Sequence, residues 1–345
     1  MLLRVLWRGS LWIGFACALC IGAASGFGRI LPYDNSLTFL TYTGTPTFRP
    51  DIAVIDLSRG TVGYLELGDG EFAGWQPGGR AFAMLKYVPA RWRPRRLLVL
   101  RRLDNSTPEQ HFLLRGLLYT SGAWSPDGRW LVYSSAWTLG TRLWVLDTQT
   151  GITSALTTEV GVLANPIWSP DGRAVLYSYT SEDEQALHLY EWDSGLVRSF
   201  PFASYLSTVE WSPDSTQIAV AHLDSSDDRS LFLIDSALTA QRQITFGTFV
   251  SEYTWSPDGR EIAYVHRLGQ ISTLTRLDLQ THEERILLTT QAVIGSLLWL
   301  ADEALYYTAD SVNGRQVLVG IDRQGREFRR ITLPDGFAGG LVLGP

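Results

Sequence analysis

Hydrophobic and polar positions along this chain alternate in short stretches separated by turn residues, with no long helical period after the first thirty positions. The stretch from Ser251 is representative. Apolar-rich runs at residues 252–255, 261–266, 272–278 and 284–289 read as four strands, joined by segments rich in Pro, Asp, Gly and Gln. The first run closes on Trp255-Ser-Pro-Asp-Gly259. Ser at the first turn position can bond the backbone, Pro presets its own φ, and Gly accepts a conformation that other residues resist.

The same pattern recurs down the chain. Trp124-Ser-Pro-Asp-Gly128 returns as Trp168-Ser-Pro-Asp-Gly172 and Trp255-Ser-Pro-Asp-Gly259, with a near copy at Trp211-Ser-Pro-Asp-Ser215. Degenerate copies stand at Trp75 and Trp299, and the six tryptophans are spaced by 49, 44, 43, 44 and 44 residues. A second marker, an apolar run ending in Asp, falls between them at Asp56, Asp104, Asp147, Asp193, Asp235, Asp278 and Asp322. A period of this size is the mark of a radial or stacked array.

Counting the ends predicts a seven-bladed β-propeller of four-stranded blades. Complete blades start near residues 71, 120, 164, 207, 251 and 295. Residues 37–67 supply three further strands, and residues 337–345 supply one, with Leu343 at the tryptophan register. Together they make a composite blade that closes the ring three strands to one. Residues 30–345 suffice for seven units of about 44 residues. The alternative is six blades with the N-terminal strands as an extra layer.

The repeated Trp-Ser-Pro-Asp-Gly with its apolar and apolar-Asp strands resembles the TolB-type, WD-like bacterial propeller repeat. The resemblance spans nearly all of residues 35–345, and three motifs match in full. It implies binding and scaffolding more often than catalysis. Full resemblance to TolB would imply an additional N-terminal α/β domain before six blades, for which this chain has no room. The repeat is also similar to propellers that sit beside hydrolase domains in oligopeptidases, and no such domain is expected in this chain.

Residues 1–29 differ from the rest. Arg4 and Arg8 precede an uncharged run at residues 11–28, whose apolar part at 11–21 has the length of a signal-peptide core. Small residues at Gly22 and Ala24 suit a cleavage site, while the whole run is long enough to serve as an uncleaved anchor. Either reading exports the remainder, with membrane contact only through this segment. A periplasmic or extracellular location is expected. Cys17 and Cys20 are the only cysteines, so the exported domain needs no disulfide.

Composition adds two exclusions. With 29 Lys and Arg against 35 Asp and Glu, the net charge of -6 argues against nucleic acid as a partner. The chain carries no nucleophile elbow, no zinc-protease motif and no phosphate-cradling loop. No cofactor, metal site or catalytic residue is assigned, and a monomer is expected. Trp75, Trp124, Trp168, Trp211, Trp255 and Trp299 read as packing between blades, because one register repeated six times is an architectural position.

Antiparallel strands put the tight turns on one face and the irregular loops on the other, where binding usually resides. Candidate partner-binding residues lie there: Arg91, Trp92, Arg93, Arg95 and Arg96 in a basic loop at residues 86–96, with Tyr205 and Phe249 in loops that precede tryptophan strands. Val162, Leu163 and Phe337 occupy similar loops. Acidic loops at 181–185 and 224–228 share that side. The function expected is a protein-binding scaffold at the cell envelope. A channel-mouth hydrolase or lactonase, and a glycan- or peptidoglycan-binding module served by the basic loop, are the alternatives.

Overall fold

The computed structural model describes residues 36–343, except 43–49, 58–60, 66, 68–69, 78–80, 90–94, 103–107, 117, 138–139, 160, 203–207, 224–228, 248, 301–303, 311–314 and 334–341. The expected leader, and with it the N-terminal hydrophobic helix, falls outside these residues. Among the described residues no helix is long and apolar enough to cross a membrane.

The architecture is an all-β propeller. Its strands pair into four-stranded sheets, each antiparallel throughout. Sheet 2 comprises Glu71–Gln76, Ala81–Val88, Arg95–Arg102 and Gln110–Leu113. Sheet 3 comprises Leu118–Trp124, Trp130–Trp137, Gly140–Asp147 and Thr153–Ala155. Sheet 4 runs through Val162–Trp168, Ala174–Thr180, Gln185–Glu191 and Val197–Pro201. Sheet 5 runs through Thr208–Trp211, Gln217–Leu223, Arg229–Asp235 and Gln241–Gln243. Sheet 6 holds Val250–Trp255, Glu261–Leu268, Ile271–Asp278 and Glu284–Thr290. Sheet 7 holds Ile294–Trp299, Leu305–Asp310, Gln316–Ile321 and Glu327–Thr332. Sheet 1 joins the two chain ends: Val342–Leu343 pairs with Ser36–Tyr42, which pairs with Pro50–Asp56 and then Thr61–Leu65. Leu343 stands opposite Leu37, as Trp124 stands opposite Leu131 and Trp255 opposite Ile262.

Alternation along the strands explains how the sheets stack. In sheet 3, Trp124, Leu131, Tyr133 and Leu146 pack with Leu98 and Leu100 of sheet 2. Their neighbours Ala123, Val132, Leu143 and Val145 pack with Trp168 and Val175 of sheet 4. The inner strands therefore bury both faces, one against each adjacent sheet. The same holds onward through sheets 4 to 7. Leu298, Tyr306 and Leu318 of sheet 7 then meet Ile55 of sheet 1, and Val54 of sheet 1 meets Phe82 and Val99 of sheet 2.

The repeated tryptophans are 2–6% exposed and face the preceding sheet. The indole of Trp168 donates to Ala123 O at 3.1 Å, and that of Trp255 to Glu210 O at 3.4 Å. Both acceptors lie in the first strand of the neighbouring sheet, so the first strands sit against one another around the axis. The fourth strands form the mostly exposed outer rim.

Candidate functional site

The two faces of the propeller differ in chemistry. On the face with the tight turns, each Ser-Pro-Asp turn is a closed hydrogen-bond unit. Ser169 Oγ donates to Asp171 Oδ1 at 2.6 Å and accepts the Ala174 amide at 2.9 Å. Asp171 Oδ1 in turn accepts the Arg173 amide at 3.0 Å. Ser125, Ser212 and Ser256 repeat the arrangement with Asp127, Asp214 and Asp258. Gly128, Gly172 and Gly259 take φ of 71–74°, where Ser215 pays a steric cost at φ 62°. Asp147 accepts the Gln149 amide and two bonds from Arg129, at 2.8 and 3.2 Å. The Arg129 guanidinium holds its carboxyl down at about 2. These carboxylates are committed to the backbone and to arginine, which makes them structural.

The opposite face carries the irregular connections. Between sheets 5 and 6, Arg229 opens the third strand of sheet 5. Its guanidinium donates to Ser251 O at 3.3 Å and to Thr208 Oγ1 at 3.5 Å, and lies 5.8 Å from the Phe249 ring centre. That distance suits a cation–π contact. Ser251 and Thr208 belong to first strands, so this group stands at the axial mouth. Glu252 follows on the same strand. Burial raises its pKa above the ordinary glutamate value, partly offset by Arg229. Burial likewise lowers the pKa of Arg229. Glu210 accepts Thr254 Oγ1 at 3.4 Å on the adjoining first strands. A half-buried cation, an aromatic ring 48% exposed and a carboxylate biased toward its neutral form are gathered here. This is recognition chemistry, suited to an anionic or aromatic group of a partner.

A second cluster on the same face is inward-facing. Glu159, in the connection between sheets 3 and 4, accepts the Tyr177 hydroxyl at 2.5 Å and meets His188 Nδ1 at 3.0 Å. Tyr179 stacks on the His188 ring at 4.5 Å. His188 is 5% exposed, and the cluster pins the loop to the sheet. The sequence gives no linear sign of this network, because its members lie 18 and 29 residues apart.

The predicted site residues fare differently from one another. Arg91, Trp92, Arg93 and Tyr205 lie outside the described residues, as do Phe337 and the acidic loop at 224–228. Arg95 and Arg96 belong to a strand, because the hairpin extends to Val88 and Arg95. This corrects the expected long loop at 86–96. Arg96 stacks at 4.4 Å on Tyr87, bonds its hydroxyl, and approaches Glu71 at 3.9 Å, with its side chain only 10% exposed. It is a packing residue more than a free surface charge. Leu163 is fully buried, whereas its neighbour Val162 is exposed. Phe249 is exposed as expected, and Arg229 beside it was not singled out by sequence. Among the described residues, no group of three or more His, Cys, Asp or Glu side chains is placed to hold a metal ion.

Comparison with known proteins settles the kind of repeat. The family model for the TolB β-propeller domain matches residues 99–339. The chain belongs to this family. No curated protein matches it in sequence. Among solved structures, TolB from Acinetobacter baumannii is similar with a TM-score of 0.52 and 18% identity, covering 72% of this chain and 62% of TolB. This TolB-family chain thus spans less than two thirds of that TolB. An oligogalacturonate lyase in complex with manganese aligns over 89% of both chains, with a TM-score of 0.59 and 16% identity. The β-propeller domain of the trilobed protease from Pyrococcus furiosus, which has an open velcro topology, aligns over 90% of this chain and 97% of its own, with a TM-score of 0.62 and 13% identity. At these identities the likeness is one of fold.

Proposed function

We propose that this TolB-family chain is an exported, non-catalytic scaffold that binds a protein partner with its irregular face at the cell envelope. The ring in this reading has seven blades closed three strands to one. Seven four-stranded sheets, and buried clusters that join sheet 7 to sheet 1 and sheet 1 to sheet 2, support that count. Export rests on the charge and apolar pattern of residues 1–29 and agrees with membership of the TolB family.

The observation that carries the binding role is the contrast between the faces. On the tight-turn face, Asp147 and Asp171 are committed to backbone amides, and Asp147 also to Arg129. The other face presents Arg229, half-exposed Phe249 and Glu252 around the mouth. A hydrolase reading needs a nucleophile and its base within bonding reach. Among the described residues, the groups gathered at this mouth are a cation, a ring, carboxylates and the Thr208 hydroxyl, which is bonded to Arg229.

The test is capture from envelope extract by the mature domain, comparing wild type with R229A, F249A and the turn-face variant D147N. A partner identified by mass spectrometry, retained by D147N and lost by both mouth variants, is expected. Equal capture by all four proteins would remove the mouth from the binding site. Hydrolysis of an ester or lactone panel that disappears in E252Q would replace the scaffold reading with the enzyme.

A further inference from the structure

The end of sheet 6 on the irregular face carries an apolar cluster that the blade's own packing does not use. Leu268 is 81% exposed and Phe246 71%, with Phe249 and Ile271 close to half exposed. Backbone pairing places these residues together. Leu268 and Ile271 face each other across the two-residue hairpin tip, and the Arg267 amide donates to Phe249 O at 3.1 Å. Phe246 lies three residues before Phe249 in the same connection. Exposed apolar side chains gathered at one loop end of a sheet mark an interaction site.

Charge narrows the occupant. Arg267 stands inside the cluster, bonded through Nε to Gly269 O at 3.2 Å and making no ion pair among the described residues. Arg229 lies against the far side of Phe249. The cluster is therefore apolar with two cations, of which Arg229 has Glu252 beside it and Arg267 stands at the tip, on a chain whose net charge is -6. Strand direction argues against a bilayer. Ser36–Tyr42 is a second strand, so it starts on the tight-turn face and runs toward the irregular one. A tether leading into Ser36 would hold the tight-turn face toward the membrane and this cluster away from it.

We propose that the tip formed by Phe246, Phe249, Arg267, Leu268 and Ile271 docks a polypeptide segment in which apolar side chains are flanked by carboxylates. The segment seats its apolar groups on Leu268 and Phe246, and its carboxylate pairs with Arg267. This proposal deepens the scaffold reading by naming a surface and a partner chemistry, and it rests on that reading.

The experiment uses three short synthetic peptides that share a Leu-Phe-Leu centre and carry Glu, Ser or Lys flanks. Binding to the mature domain is read by fluorescence anisotropy. The Glu-flanked peptide is expected to bind at least about tenfold more tightly than the Lys-flanked one. L268S and F246S should each weaken it about tenfold or more, and R267E should invert the order of the Glu and Lys peptides. Thermal melts of the variants, expected within a degree of wild type, exclude misfolding. Absence of binding, or equal affinity for the three flanks, overturns the proposal. Sedimentation with zwitterionic phosphatidylcholine vesicles that L268S abolishes overturns it in favour of a membrane surface. A wild-type dimer in analytical ultracentrifugation that L268S dissociates overturns it in favour of a second copy. If the peptides fail while envelope capture still depends on Arg229, the scaffold reading stands and this tip is not its contact.

Discussion

Replacing Trp168 with alanine removes one inter-sheet wedge, and the structure sets its size. Trp168 is 5% exposed and packs with Leu143, Val175 and Tyr177. Its ring centre lies 4.5 Å from that of Trp192, and its indole donates to Ala123 O at 3.1 Å. Burying an indole removes roughly 150–250 Å² from water. At about 25 cal/mol per Å², that is on the order of 4–6 kcal/mol before ordering costs. The lost hydrogen bond adds about 1 kcal/mol, and partial collapse of the cavity offsets some of the total, leaving about 3–5 kcal/mol. An unfolding entropy of about 2.1 cal/mol/K per residue over roughly 310 residues gives about 0.65 kcal/mol/K. A loss of about 4 kcal/mol then lowers Tm by about 6 °C. Differential scanning calorimetry on wild type, W168A and W168F measures it, with W168F expected between the other two. A W168A protein melting within a degree of wild type refutes the view that the tryptophans hold the sheets together.

Three other substitutions probe different parts of the account. S169A removes both the donor to Asp171 and the acceptor of the Ala174 amide, and should cost about 1–2 kcal/mol by urea titration; a neutral result would make the turn serine dispensable. His282 holds φ 60° at an exposed turn position, so H282G should stabilise by about 0.5–1 kcal/mol in the same assay, and destabilisation would contradict the strain. Burial raises the Glu252 pKa, so its folded-state contribution is most favourable below the ordinary value of 4.5 and is lost as pH rises through the raised one. The Tm of E252Q relative to wild type should therefore be higher at pH 7 than at pH 4, and a pH-independent difference would contradict the burial.

The repeat was legible because its physics is local. Turn chemistry and period-two alternation recur at each tryptophan, so Glu261, where the sequence begins a strand, opens one in the structure. Side-chain networks were not legible for the opposite reason. Glu159, Tyr177 and His188 come together only when a loop from one sheet folds over the next. Bulges also escaped. Asn165 adopts φ 52° between Ala164 and Ile167, where a regular strand was expected. The basic segment around Arg96 looked like a solvated loop because of its charge. Hairpin pairing and stacking on Tyr87 drew Arg96 inward. Phe249 could be placed on the correct face from strand direction alone. Its partner Arg229 follows an acidic stretch that drew attention away from it.

A single ring rests on how its two chain ends meet, and that is the claim to test most directly. Val342–Leu343 pairs with Ser36–Tyr42, with Leu343 at the tryptophan register. Removing residues 337–345 takes away this strand and leaves an open sheet edge at the axis, which invites unfolding and edge-to-edge association. The measurement is the thermal melt of a protein comprising residues 30–336, compared with residues 30–345, alongside its sedimentation profile. The account predicts a Tm lowered by several degrees and concentration-dependent association. A truncated chain that melts with wild type and stays monomeric would contradict a ring closed by its own two ends.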